Sequence, residues 1–405
     1  MRKSAVLLSS VVLLMAVAPT AHARAGWKVK IDRLIGHKRM SASLAEDGRT
    51  FYRHRPNHMR IPASNQKALM SMALLDRLGL DHTITTTASI RADASPTQTY
   101  RGNLWLIGRG DPTLAGNQTY GTTMPFEPTH LRDLAAAIRQ AGIKKIRGRV
   151  MGSIEYFDHD WWAYGWKANF PRDEVAMPTA LSVNGNRKSN GDPVYSPERR
   201  AAEWLTKRLK YKGVEVTGKP GAGVAPAEDL APIAQLSSAP LRQIVSYTNR
   251  RSHNYFAEML GKLLGASRSG PLGTIRKGAK AITVWARSHG AEVTAYDSSG
   301  LSYANRVSTA GMVRLLGVAE NKYWGTAFRT GLARGGQGTM QKRPLKGIRV
   351  RVKTGTLSAV STLSGYVYLK SRRAWAEFSI MSRGLAKSRA VEIENKIVRV
   401  MANNA

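Results

Sequence analysis

The 405-residue chain contains no cysteine. That excludes a cysteine nucleophile, thiolate zinc sites, disulfides and lipid attachment through an N-terminal cysteine, so burial alone must hold the fold. Acidic residues are also scarce: 27 Asp and Glu stand against 62 Lys and Arg, a formal charge of +35. Long apolar runs are confined to the start. Arg2 and Lys3, the apolar residues 5–18 and Ala21-His22-Ala23 have the layout of a cleaved export signal over residues 1–23. No later stretch reaches the roughly 20 apolar residues of a membrane span. The expectation is an exported protein without a transmembrane segment, working in the periplasm or the extracellular cell-wall space.

Nucleic-acid motifs are missing as well. The basic runs Lys207-Arg208-Lys210-Lys212, Lys342-Arg343-Lys346 and Lys370-Arg372-Arg373 are spread along the chain with no base-stacking or groove-reading pattern around them. No nucleic-acid partner is expected. Such charge either concentrates an anionic partner outside the membrane or simply solvates the surface.

What is present reads in three blocks. Residues 40–64 alternate weakly about the turn dipeptide Asp47-Gly48, predicting a hairpin that runs into a helix ending at Gly79. From 84 to about 236 the texture changes to short strands, a helix near 129–142, a Trp-, Pro- and Gly-rich stretch, and a basic helix near 197–212. Helical periodicity returns at 240–265, 273–290 and 308–319, and the chain closes as strand "IRVRVKTGTL", strand "STLSGYVYLKSRRAWAEFSIMSRG" and helix. The expected division is 24–83 and 237–405 as one domain built from both chain ends, with 84–236 inserted.

"PASNQKAL" sets Ser64 and Lys67 three apart on a predicted helix, close enough for the amine to approach the hydroxyl. Taken alone, a pair of this kind reads first as a helix cap with a lysine on the next turn. S-x-N occurs twice, at Ser182-Val183-Asn184 and at Ser252-His253-Asn254, the second between helical segments. Lys353-Thr354-Gly355-Thr356 closes an alternating strand, whereas Arg329-Thr330-Gly331 has no strand before it. Asp158-His159-Asp160 lacks partners at metal spacing, and Arg109-Gly110-Asp111 sits in a strand-ending turn. No metal and no cofactor are expected.

S-x-x-K, S-x-N and K-T-G in this order form the motif set of penicillin-recognising serine acyltransferases. The long interval 68–251, with "GNLWLIGRGDPTL", "ALSVNGN", "SHNYFAEMLGKLLG" and "DSSGLSYANRVSTAGMVRLL", resembles the class C low-molecular-mass penicillin-binding proteins, the D-alanyl-D-alanine carboxypeptidase/endopeptidase family. The resemblance implies an α+β fold: a transpeptidase-like domain with an antiparallel sheet flanked by helices, built from both chain ends, and a smaller inserted domain. It makes Ser64 the acylated nucleophile, Lys67 its base and Ser252 a proton relay. Asn254 would hold the substrate amide and orient Lys67. Lys353 would depress the Lys67 pKa and draw in the substrate carboxylate, which Thr354 would bind, while Gly355 allows close approach.

Backbone N–H groups of Ser64 and Thr356 would form the oxyanion hole, worth about 3 kcal/mol per donor. Peptidoglycan stem peptides and β-lactam antibiotics are the implied partners. His253 stands where the family most often has Asp, and altered support rather than lost activity is expected. Asp173 and Glu174 either meet a cationic amine of the stem peptide or solvate the surface. Two other readings are a β-lactamase or esterase on the same fold, which nitrocefin turnover would reveal, and a silent basic wall-binding protein.

Overall fold

A computed structural model describes residues 26–96, 98–343, 345 and 347–405. The proposed export signal and Lys346 of the basic run lie outside the described residues. The main sheet has five antiparallel strands, in the order Val350–Leu357, Val360–Leu369, Ala374–Arg383, Met40–Glu46, Arg49–His54. Asp47 and Gly48, both at positive φ, turn the N-terminal hairpin, whose first strand pairs from Met40 with Ser382. The two chain ends are therefore one hydrogen-bonded sheet.

Helices Gly26–Ile35 and Lys387–Asn404 cover one face, where Ile31, Ile35, Phe378, Ile380 and Ile397 are buried together. Helices Gln66–Leu78, Leu241–Arg251, Asn254–Ser269, Ile275–Ser288 and Thr309–Glu320 form the second core, around Leu69, Met72, Phe256, Leu260 and Ile282. Segregation of helices about an antiparallel sheet defines the α+β class.

Between the halves, Thr85–Arg91 pairs antiparallel with Leu230–Ser237, so the chain leaves and re-enters side by side. That adjacency is the physical condition for nesting one unit inside another. The sheet there runs Leu230–Ser237, Thr85–Arg91, Leu104–Gly108, Val150–Ser153, Gly221–Gly223. Helices Leu131–Gln140 and Pro197–Tyr211 close its own core, including Leu106, Leu134, Ile138 and Leu205. An irregular stretch then returns to the helical half, burying Trp166, Phe170 and Val175 against Ile275 and Leu301.

Two local expectations need correction. The segment read as one strand over 361–384 is two strands, Val360–Leu369 and Ala374–Arg383, reversing at 370–373. The turn has no Gly, Pro or Asn, and Arg373 supplies the left-handed residue at φ 55°. Ser64 also does not open an α-helix. It lies in a short 3-10 turn, Ala63–Asn65, and the α-helix begins at Gln66 with no side-chain cap.

Candidate active site

The turn that carries Ser64 is held from three sides. Ala63 adopts φ 46°, a left-handed conformation costing a β-carbon residue about 1–2 kcal/mol, immediately before Ser64. Asn65, fully buried, donates to Ser364 Oγ at 2.7 Å on the central part of the sheet. Gly355 abuts the turn from the neighbouring strand: a β-carbon there would lie 2.8 Å from the Pro62 carbonyl and 2.9 Å from Ser64 N, and would strike Thr362 Oγ1. No other residue fits this position without separating strand from turn. Gly300, at φ 83°, makes the equivalent close approach to the Ala63 carbonyl from the loop after Asp297.

Lys67 is completely buried one turn later. Its Nζ lies 3.1 Å from Ser64 Oγ, 2.7 Å from Asn254 Oδ1 and 2.5 Å from the Ser299 carbonyl. A neutral amine has two hydrogens and one lone pair. The two oxygens that can only accept take the hydrogens, which leaves the lone pair directed at the serine hydroxyl. The geometry suits a base, and the cap reading of Ser64 fails because its hydroxyl meets the lysine instead of a helix N–H.

Burial pulls the Lys67 amine down to about 8, while Asp297, Glu258 and Glu174 pull it back up. Desolvation is the first cause of this depression, and the anticipated repulsion between the two lysines falls on Lys353 instead. Lys353 is itself buried and driven well below the lysine range, first by burial and then by the charges of Lys67 and Arg343. Its Nζ donates to Ser252 Oγ at 2.9 Å and to the Thr354 carbonyl at 2.7 Å.

Ser252 interrupts two helices at φ 56°, which projects its hydroxyl toward Lys353. His253 caps the following helix, accepting weakly from Phe256 N–H at 3.5 Å, and lies against the Phe256 ring with centroids 4.5 Å apart. Burial, with Lys67 and Arg251 nearby, holds its pKa down to about 4. A neutral imidazole therefore fills the cap position that the resemblance assigned to Asp. Ser64, Ser252, Thr354 and Thr356 share one cavity of about 530 Å³, which Thr339, Lys342, Arg343 and Lys387 extend.

Sequence reasoning missed the groups that support Lys67. Glu258 lies one helical turn beyond Asn254 and accepts from Ser299 N at 2.7 Å and Ser298 N at 3.1 Å. Its buried carboxyl is pushed up to about 7 by burial and by Asp297. Asp297 accepts from Gly300 N, Ser302 N, Asn305 Nδ2 and, at 2.8 Å, Trp166 Nε1 from the inserted segment. In the sequence, "DSSGLSYAN" carries no mark of a chemical role. Its Asp-Ser-Ser-Gly turn signature was the only signal available.

Both acids are exposed, but Glu174 accepts from Asn254 Nδ2 at 3.0 Å and so reaches the site, whereas Asp173 is bound to Arg172. The other S-x-N is structural: Ser182 meets the Tyr255 hydroxyl and Asn184 accepts from Gly116 N. Asp158 and the carbonyl of Asp160 receive the buried Lys262. Arg329-Thr330-Gly331 ends a helix, Gly325–Gly331.

A serine and a buried lysine under an antiparallel sheet, with a second serine and lysine across the cleft, define a serine peptidase of the penicillin-binding kind. The model of the D-Ala-D-Ala carboxypeptidase 3 (S13) family matches residues 38–190 and 168–404, and the chain belongs to that family. It is 26% identical to the D-alanyl-D-alanine carboxypeptidase of Actinomadura sp. (strain R39), over 88% of this chain and 80% of that protein.

Carboxypeptidase DacB of Mycolicibacterium smegmatis is 27% identical over 77% of this chain and 69% of its own length. In fold this chain is similar to penicillin binding protein 4 of Haemophilus influenzae, with a TM-score of 0.75 at 17% identity, covering 92% of this chain and 99% of that one. A predatory peptidoglycan endopeptidase of Bdellovibrio bacteriovorus follows at 0.54 and 17% identity, covering 90% and 92%. The chain is a low-molecular-mass class C penicillin-binding protein and a serine-type D-Ala-D-Ala carboxypeptidase hydrolase. No described helix is long and apolar enough to cross a membrane.

Proposed function

We propose that the protein is exported and cleaves the terminal D-Ala-D-Ala bond of peptidoglycan stem peptides, and D-Ala cross-links, through an acyl-enzyme on Ser64. The observation that carries this reading is the neutral-prone Lys67 amine, 3.1 Å from Ser64 Oγ. Lys67 takes the hydroxyl proton as Oγ attacks the carbonyl of the penultimate D-Ala. The backbone N–H groups of Ser64 and Thr356 receive the oxyanion. Ser252 passes a proton to the departing amine, with Lys353 beside it, and Thr354 holds the substrate carboxylate. Water then hydrolyses the ester by the reverse use of the same base. Penicillin enters the same cycle and stays attached. We further propose residues 1–23 as the signal, 24–83 and 237–405 as the catalytic domain and 84–236 as the insertion, a division supported by the strand pairing at 85–91 and 230–237.

Fluorescent penicillin will label the wild type covalently and Ser64→Ala not at all, and digested cell wall will lose terminal D-Ala only with the former. Persisting label in Ser64→Ala would show a different nucleophile. The pH dependence follows from Lys67: acylation needs the unprotonated amine, so its rate climbs about tenfold per pH unit below roughly 8 and levels above. Glu258 raises the Lys67 pKa, so Glu258→Gln moves that limb to lower pH. An unmoved or alkaline-shifted midpoint in stopped-flow acylation would remove Glu258 from the electrostatics of the base.

A further inference from the structure

Three arginines near the site, Arg334, Arg349 and Arg351, have no part in this chemistry. A second cavity, of about 540 Å³, opens beside the first residues of the Lys353 strand, lined by Arg334, Arg343, Arg349, Arg351 and Trp375 with no carboxylate among its lining residues. Arg343 is matched by Glu394 at 2.8 Å. Arg334, Arg349 and Arg351 have no acidic partner among the described residues. Arg349 instead lies over the rings of Tyr368 at 4.0 Å and Trp375 at 5.4 Å. Burial depresses Arg351, and the charges of Arg334, Arg250, Arg329 and Arg349 depress it further. Of these neighbours Arg329 is paired, with Glu320. Three uncompensated guanidinium forks around one concavity make a receptor for oxyanions.

Its position says which oxyanions. Arg343 lines this cavity and the active-site cavity alike, where Lys342 and Lys387 add exposed positive charge. Thr339, on the same connecting segment, points a buried hydroxyl with no partner among the described residues. The active-site cavity includes Thr354, proposed to hold the substrate carboxylate, and is not lined by Asn254 or Glu174. The basic path therefore continues from the leaving-group end of the scissile bond. A departing D-Ala has one carboxylate, which Thr354 satisfies. A longer acidic leaving group carries further carboxylates, and the arginines lie along the cavity wall that Arg343 shares with the site.

We infer that Arg334, Arg349 and Arg351 form an exosite for the carboxylates of an acidic peptide on the leaving side of a cross-linked substrate. This rests on the DD-peptidase reading of Ser64 and gives the protein a preference for cross-links over single stem peptides. The test uses the full mature chain, the double variant Arg334→Gln/Arg351→Gln, and Arg349→Gln in case the double variant does not fold. Three measurements apply: penicillin labelling of Ser64, hydrolysis of a small N-acylated peptide ending in D-Ala-D-Ala, and hydrolysis of a D-Ala-cross-linked stem-peptide dimer.

The expected result is a rise of about tenfold in KM for the dimer, the size of one charge-assisted hydrogen bond, with kcat, small-peptide hydrolysis and labelling retained. The rise shrinks at high salt. An unchanged dimer KM, or equal loss on both substrates, overturns the exosite. Unchanged dimer kinetics together with binding of inorganic phosphate or phosphatidylglycerol vesicles by the wild type alone would overturn the peptide in favour of a phosphate ligand. Failure of the wild type to take up penicillin would instead refute the reading of Ser64, which the kinetic comparison does not touch.

Discussion

Lys67→Met will lower the rate at which penicillin acylates Ser64 by about 10³-fold or more, at a pH where the wild-type amine is unprotonated. Methionine keeps the length and apolar stem of a side chain that is 0% exposed, so packing changes little. What disappears is the only basic nitrogen within hydrogen-bond reach of Ser64 Oγ among the described residues. Loss of a general base costs typically 10²–10⁴-fold, and groups acting as a unit with a nucleophile lie at the upper end. Asn254 Oδ1 and the Ser299 carbonyl also lose their donor, at about 1–3 kcal/mol for each acceptor left dry. The melting temperature should therefore fall as well. Labelling kinetics on the folded fraction separate the effects, and a folded variant acylated at the wild-type rate would show that Lys67 is not the base.

Gly355→Ala is the second large effect, and it involves no titratable group. The added methyl would sit 2.8 Å from the Pro62 carbonyl and 2.9 Å from Ser64 N, contacts that real β-carbons do not make. Pro62 and Ser64 are backbone in a turn already strained at Ala63, so the strand must move away. The two proposed oxyanion donors, Thr356 N–H and Ser64 N–H, are then pushed apart, and on that proposal acylation falls by about 10²–10³-fold, the usual worth of one such donor. Overpacking adds about 1–3 kcal/mol of destabilisation. Acylation rate and thermal unfolding of the variant check both parts. An alanine variant with wild-type acylation would mean that the strand and the nucleophile turn are free to separate without consequence.

Much of the candidate site was legible because its motifs are local. Ser64 and Lys67 are one turn apart, Ser252 and Asn254 flank a helix start, and Lys353 to Thr356 alternate along a strand. The change of periodicity at about residue 84 coincides with the start of strand Thr85–Arg91, which pairs with Leu230–Ser237. Less legible were features with no local chemical marker. The reversal at 370–373 uses basic residues rather than turn formers, and Ala63 takes a left-handed φ that alanine does not advertise. Glu174 lies in an irregular stretch where nothing distinguishes it from its equally exposed neighbour Asp173, yet it accepts from Asn254 across 80 residues of chain.

By itself the sequence determined which functional groups exist, their order, and the absence of thiol chemistry, because residue types and short periodicities are properties of neighbouring positions. Tertiary structure decided the state of those groups. Lys67 approaches a pKa of about 8 because helices and the Asp297 loop exclude water from it, and Glu258 and Asp297 moderate that shift from segments distant in the chain. Desolvation and Coulomb interactions depend on distances through space, and only folding sets those distances.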